Sequence, residues 1–297
     1  MNFLFKRRYI LLIFASTILF SCSKSISNKI NITVGIEPQK FFVEKIGGDK
    51  VEISVLVKSG MSPENFEPLP SQLLDVSDSK IYYKIGMPFE EILIKNFPQS
   101  NPSLKIIDTS KDINFRNSES SISVFENENI HLNHNHGLYD PHIWLSPELV
   151  KKQAEAIYNS LNEIDPINKN YYEKKYSTFL NEIDSVKKII TENLGTLKKR
   201  VVLVYHPAWG YFCDEFSLKQ VPIEFEGKEP GIKDLSKIIS FVKGNNIKFI
   251  LGESQNNSPA LISIAKELGV KIIKHDPLSS NYFENLISLS KIIRDNN

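Results

Sequence analysis

Apolar and polar positions along the chain follow two alternating periods. Short β-branched runs stand at Ile32–Ile36, Val51–Val57, Lys80–Lys84 and Lys105–Ile107, and again at Val201–Tyr205, Gln220–Glu224, Lys248–Leu251 and Lys271–Lys274. Stretches with helical spacing separate them. Strands alternating with helices predict an α/β fold with mainly parallel sheets, because each crossover must return over the sheet face before the next strand can pair. The runs fall into two similar sets, hence two lobes. Between the sets, Tyr172, Tyr176, Phe179, Ile183, Val186, Ile190 and Leu194 recur every three or four residues, from the Asp165-Pro166 start signal to Gly195. This spacing predicts one helix of about 43 Å at 1.5 Å per residue, enough to run from one lobe to the other. The division that follows is an N-terminal lobe over 31–164, a connecting helix over 165–196 and a C-terminal lobe over 197–297.

The periodicity fails in two places. Over 117–138 the chain is nearly all Ser, Glu, Asn and His. So polar a segment cannot bury enough apolar surface to offset its ordering entropy, which predicts a mobile loop. At the N-terminus Lys6, Arg7 and Arg8 precede an uncharged run from Tyr9 to Phe20, followed by Ser21 and Cys22. That run would rise about 18 Å as a helix against a hydrocarbon core of about 30 Å, so residues 1–21 read as an export signal and not as a permanent span. Leu19-Phe20-Ser21-Cys22 resembles a bacterial lipobox, in which the cysteine becomes the lipidated first residue. Cys22 is therefore the expected membrane anchor and 22–30 its tether. The folded body is expected in the periplasm or on the outer face of the cytoplasmic membrane.

Composition narrows the class. The chain carries 36 basic and 35 acidic side chains, a net charge of +1, and 41% apolar residues. This excludes a disordered chain, a polytopic membrane protein and a basic nucleic-acid binder. With two cysteines, one of them in the lipobox, no disulfide framework is expected, and Cys213 beside Tyr211 and Phe212 reads as core filler. Histidine is more informative: of six, His131, His134, His136 and His142 fall within twelve consecutive positions.

Asp140-Pro141-His142-Ile143-Trp144-Leu145-Ser146-Pro147 sets a histidine between two turn prolines, ahead of a helix capped by Ser146 and continuing through Val150, Ala154 and Ile157. A ring held in a rigid connection suits a ligand, and a satisfied core histidine fits the same motif equally well. His206 follows directly on the Val201–Tyr205 run. Ligands of open α/β sheets bind beyond the carboxyl ends of strands, which favours function there. Asp276 follows the last strand in the same way, with His275 alternating to the other face. The Gly60–Pro68 loop after the second strand offers Glu64 and Glu67. Two imidazoles with carboxylates form a donor set for a divalent transition metal, and ligands drawn from both lobes make a site that exists only when the lobes are closed. His131, His134 and His136 read as exposed, weak metal collectors. Trp144 and Trp209 read as core packing near the site, and Lys187 and Lys188 as a solvated helix face. The chain has no His-Glu-x-x-His helix, no Gly-x-Ser-x-Gly elbow, no Walker loop and no Gly-x-Gly-x-x-Gly after a strand, so no hydrolytic or nucleotide chemistry is indicated.

Six ordered segments carry a resemblance. GMSPENFEPLPSQL at 60–73, DPHIWLSP at 140–147, VYHPAWGYF at 204–212, GKEPGIKDL at 227–235, GESQNNSPA at 252–260 and HDPLSSNYF at 275–283 resemble the zinc/manganese receptors of ABC importers, the ZnuA- and TroA-like family. The likeness covers nearly the whole chain after residue 31. It implies two α/β lobes joined by one long helix and a metal in the cleft between them. His142 and His206 match the family's ligand positions, and Asp276 that of a fourth, carboxylate ligand. Family members usually have a histidine directly after the proline of the first loop, whereas this chain has Ser62-Pro63-Glu64. Either Glu64 replaces that imidazole, or a loop histidine, His136 or His134, completes the shell. Histidine at 206, where manganese-type relatives usually carry Glu, and the histidine-rich arm lean toward zinc. A shell of two histidines, one Glu and one Asp is oxygen-rich and keeps manganese as the alternative.

The expected function is thus capture and handover. A monomeric, non-enzymatic receptor binds zinc outside the cell membrane and delivers it to the membrane permease of an ABC importer. Two other readings stay open at this point. One is a secreted metalloenzyme with the same histidine pair, an open water position and Glu253 or Glu226 as acid or base. The other is a surface adhesin or metal buffer whose arm alone binds ions.

Overall fold

The computed structural model describes residues 29–63, 66–118, 139–224, 228–255 and 258–297. The export signal, Cys22, Glu64, Glu226 and the three arm histidines lie outside the described residues.

The first half runs β1 (Ile30–Ile36), α1 (Glu37–Gly47), β2 (Val51–Val57), α2 (Pro70–Ser77), β3 (Ile81–Lys84), α3 (Pro88–Ile94), α4 (Phe97–Ser100) and β4 (Lys105–Asp108). A short 3-10 turn at Ile143–Leu145 leads into α5 (Pro147–Ile164), and a second at Pro166–Asn168 into α6 (Lys169–Leu194). The second half runs β5 (Val201–Val204), α7 (Gly210–Glu215), β6 (Lys219–Pro222), α8 (Ile232–Asn245), β7 (Phe249–Glu253), α9 (Pro259–Leu268), β8 (Lys271–His275) and α10 (Tyr282–Asn296). Prolines open α1 to α5 and α9, at helical positions where a missing N–H leaves no bond unmade. Asn246 and Gly269, both left-handed, close α8 and α9.

Both sheets are parallel throughout and share one order, β2-β1-β3-β4 and β6-β5-β7-β8. All the strands expected from the sequence form, and the two-lobe α/β reading holds. The connecting helix differs at its start. Asp165 was the expected cap, but its carboxylate accepts from Asn168 Nδ2 at 2.7 Å and the Tyr172 hydroxyl at 2.6 Å. The chain therefore makes a tight 3-10 turn first, and the α-helix proper begins after Asn168. The buried stripe Tyr172, Phe179, Ile183, Val186, Ile190 and Leu194 is the one the periodicity marked.

One apolar core runs from Val34 and Ile36 of the first sheet through Trp144 and this stripe to Trp209, Phe212, Leu251 and Leu286 of the second half. A smaller core, with Leu203, Val221, Ile238, Ile250 and Leu261, lies on the other face of the second sheet. The last helix returns to the first half. Tyr282 and Phe283 of α10 pack edge-on against Phe42 and Phe41 of α1, with ring centres 4.8 and 5.1 Å apart. Two helices, α6 and α10, thus tie the lobes together. Cys213 is buried in this core.

A buried carboxylate holds the turn between β3 and α3. Glu90 Oε2 accepts the Gly86 and Met87 N–H groups at 2.8 and 2.9 Å, and Oε1 accepts the Tyr82 hydroxyl at 2.9 Å. Gly35 leaves room for it, since a Cβ there would stand 2.9 Å from Oε1. Burial outweighs these bonds and pushes the Glu90 carboxyl up to about 7. With its folded value raised, Glu90 favours the native state in acid and loses that contribution as pH climbs toward 7. Between about pH 5 and pH 8 the stability advantage of wild type over Glu90→Gln should shrink by about 2–3 kcal/mol. Denaturant midpoints at both pH values measure it, and an unchanged difference would show that Glu90 does not titrate in this window.

Candidate metal centre

His206 stands two residues beyond β5, and Glu224 two residues beyond β6. The strands pair in parallel with Val204 opposite Pro222, and Glu224 N–H donates to the Tyr205 carbonyl at 3.0 Å, extending the ladder. The same register sets His206 beside Glu224, where Nδ1 meets Oε1 at 2.7 Å. His142 reaches an equivalent state by a local turn. Asp140 Oδ1 accepts the His142 backbone N–H at 3.0 Å and meets ring Nδ1 at 2.7 Å. Ser146 then caps α5 by accepting the Leu149 N–H at 3.2 Å. The turn is pinned from the other half of the chain: Trp144 Nε1 donates to the Pro277 carbonyl at 2.8 Å, and the Tyr282 hydroxyl donates to the Trp144 carbonyl at 2.6 Å.

The two rings meet. Their centres are 5.3 Å apart at an interplanar angle of 72°, with His142 5% and His206 6% exposed. A carboxylate can only accept, so in the neutral form each ring has its proton on Nδ1 and its lone pair on Nε2. That is the pattern of metal-ligating histidine, in which an outer carboxylate fixes ring orientation and raises basicity. Trp144 and Trp209 are buried beside the site, with the Trp144 ring 5.1 Å from His142.

The other sequence candidates are placed differently. Asp276 lies just past β8, but its Oδ2 accepts the Ser59 hydroxyl at 2.6 Å and its Oδ1 the Leu278 N–H at 2.9 Å. Among the described residues, no group of three or more His, Cys, Asp or Glu stands close enough to hold one ion. His142 and His206 are therefore brought together, while Asp276 is turned to Ser59 of the loop after β2. Glu67 is exposed. His275 faces away, as strand alternation requires. Its Nε2 donates to the Asn285 carbonyl at 3.1 Å, its Nδ1 accepts from Trp209 Nε1 at 3.2 Å, and burial holds its pKa below the ordinary histidine value. Asp140 and Glu224 were not singled out from sequence. Asp140 carried a signal, an acid two residues before a turn histidine. Glu224 needed the strand register.

The fold is that of a two-lobed α/β protein in which one imidazole from each half of the chain meets the other. The chain matches the family of zinc-uptake complex component A, periplasmic (ZnuA), over residues 32–296 and belongs to it. It is 27% identical to the high-affinity zinc uptake system protein ZnuA of Bacillus subtilis, over 82% of this chain and 77% of that protein. It is 26% identical to the zinc-binding lipoprotein AdcA of Streptococcus pneumoniae, over 88% of this chain and 53% of that longer protein. A solved structure of a zinc-bound ZnuA deletion mutant is 36% identical, with a TM-score of 0.82 over 91% of this chain and 98% of that one.

The hydrogen-bond pattern predicts a split among the described histidines. Ring nitrogen spectra of the metal-free protein should show His142 and His206 protonated at Nδ1 and His275 at Nε2. Asp140→Asn should remove the preference at His142 alone. A Nε2-protonated His142 or His206 would refute the arrangement.

Proposed function

We propose that this protein is an exported, lipid-anchored receptor that captures zinc between its lobes and passes it to the permease of an ABC importer. His142 and His206 are its nitrogen ligands, with Asp276 as a carboxylate ligand once it leaves Ser59, and Glu64 or an arm histidine as the fourth. One observation carries the reading: two buried rings from opposite halves, each backed by a carboxylate on Nδ1, with centres 5.3 Å apart. Two imidazoles bound through Nε2 to one tetrahedral ion, with Zn–N bonds of about 2.0–2.1 Å, would have ring centres about 5 Å apart. The donor softness favours zinc, and zinc is named for the relatives ZnuA and AdcA. Residues 1–21 as export signal and Cys22 as lipid anchor fit such a receptor, and AdcA is named a lipoprotein.

Zinc titrations against a competing chelator test this. His142→Ala and His206→Ala should each weaken binding by at least about 100-fold, at or beyond the range seen on removing a partner behind a ligand. Asp276→Ala should cost less, because its carboxylate must first exchange a hydrogen bond. Protons compete for imidazole lone pairs, so affinity should fall toward acid pH, less steeply in either histidine variant. Wild-type affinity in both histidine variants would overturn the cleft site in favour of the arm. Metal analysis of protein purified without added metal separates zinc from manganese.

A further inference from the structure

Arg116 lies behind one of the two rings and belongs to neither ring–carboxylate pair. Its Nη1 donates to Asp140 Oδ2 at 3.2 Å, the oxygen that His142 does not use. Its Nε stands 3.0 Å from Asp214 Oδ2, and the guanidinium lies 5.7 Å from the centre of the Tyr211 ring. The backbone joins in: Arg116 N–H donates to the Tyr211 hydroxyl, which donates to the Asp140 carbonyl, each at 2.9 Å, and Asp140 N–H returns to the Arg116 carbonyl at 3.0 Å. The side chain is only 14% exposed. Arg116 and Asp140 come from the first half of the chain, whereas Gly210, Tyr211 and Asp214 belong to α7 in the second. A Cβ at Gly210 would stand 1.3 Å from Nη1, so the guanidinium occupies space that only a glycine leaves open.

We infer that Arg116 is a positioning residue for zinc capture, holding the Asp140 carboxylate in the plane that aims Oδ1 at His142 Nδ1. The inference rests on His142 being a zinc ligand. A carboxylate bonded through one oxygen still turns about its Cβ–Cγ bond. Anchoring the second oxygen to an N–H of a guanidinium fork whose Nε faces Asp214 resists that rotation. Because the fork is itself seated on α7, the orientation of His142 is fixed relative to the lobe that supplies His206. Lysine carries the charge without the fork and cannot reproduce this.

The test is a double-mutant cycle read by zinc affinity and by the ring nitrogen signals of the metal-free protein. Arg116→Ala removes the fork, and Gly210→Ala displaces it while also crowding Asp140 Oδ2, from which the new Cβ would stand 2.7 Å. Each should weaken zinc binding about 10-fold and blur the Nδ1 preference at His142 while sparing His206. Arg116→Ala added to Asp140→Asn should cost no further affinity, because Arg116 acts only through that carboxylate. Arg116→Lys should resemble Arg116→Ala. The ring signals are read on folded, metal-free protein and so separate lost aim from lost fold. If Arg116→Ala and Gly210→Ala keep wild-type affinity and His142 signals while His142→Ala loses zinc, the inference fails and the site stands. Additive losses for Arg116→Ala and Asp140→Asn also overturn it. Unchanged zinc affinity in His142→Ala overturns the site, and this inference with it.

Discussion

The apolar interior does not stop at the boundary between the lobes. Trp144, the inner face of α6, Trp209 and Tyr282 belong to one packed body that includes strands of both sheets. A large aromatic side chain removes 150–250 Å² from water, worth roughly 4–6 kcal/mol at about 25 cal/mol per Å². Exposing even two or three of them would consume a whole domain's net stability, which is on the order of 5–15 kcal/mol. A wide hinge motion that uncovers this core is therefore strongly disfavoured. The two histidine turns grow out of it: Trp144 follows His142 by two residues, and Trp209 follows His206 by three. Their separation is a property of the core more than of the loops.

With the rings so fixed, the mobile part of the proposed site is on its carboxylate side. Asp276 is bonded to an exposed serine hydroxyl on the loop after β2, which water can replace. A charged hydrogen bond of this kind is worth about 1.5–3 kcal/mol net. Exchanging it for a cation is a far smaller rearrangement than opening two lobes. The sequence predicted a site assembled by closure. In the structure the two rings already stand together, and the proposed carboxylate ligand Asp276 is held by Ser59.

Legibility varied with the range of the interaction involved. The strands and the α6 stripe could be read because burial writes period 2 or 3.6 directly into neighbouring positions. His142, His206 and Asp276 could be nominated because each sits at a turn or a strand end. What the rings bind to could not be read. Glu224 pairs with His206 only because β5 and β6 are neighbours in a particular register, and Arg116 meets Asp140 only where the halves touch. Asp165 misled for a related reason: it has the right residue type for a cap, but Tyr172 and Asn168 both donate to its Oδ2. Side-chain competition of that kind leaves no periodic trace. His275 shows the opposite case, where strand alternation alone separated a structural histidine from the neighbouring candidate Asp276.

The rigidity of the pair also bears on which ion it suits. Affinity at a mixed nitrogen and oxygen site rises toward zinc and copper for almost any arrangement, so selectivity comes from geometry and donor type. Two imidazoles set by the core at tetrahedral spacing satisfy zinc with only two further donors. Manganese, which suits a larger set of oxygen donors, would need the 58–68 loop to bring more carboxylates than Asp276 and Glu64 provide. On the proposed site, a core that holds the nitrogen pair in place while leaving the oxygen side short would discriminate without any contact specific to zinc.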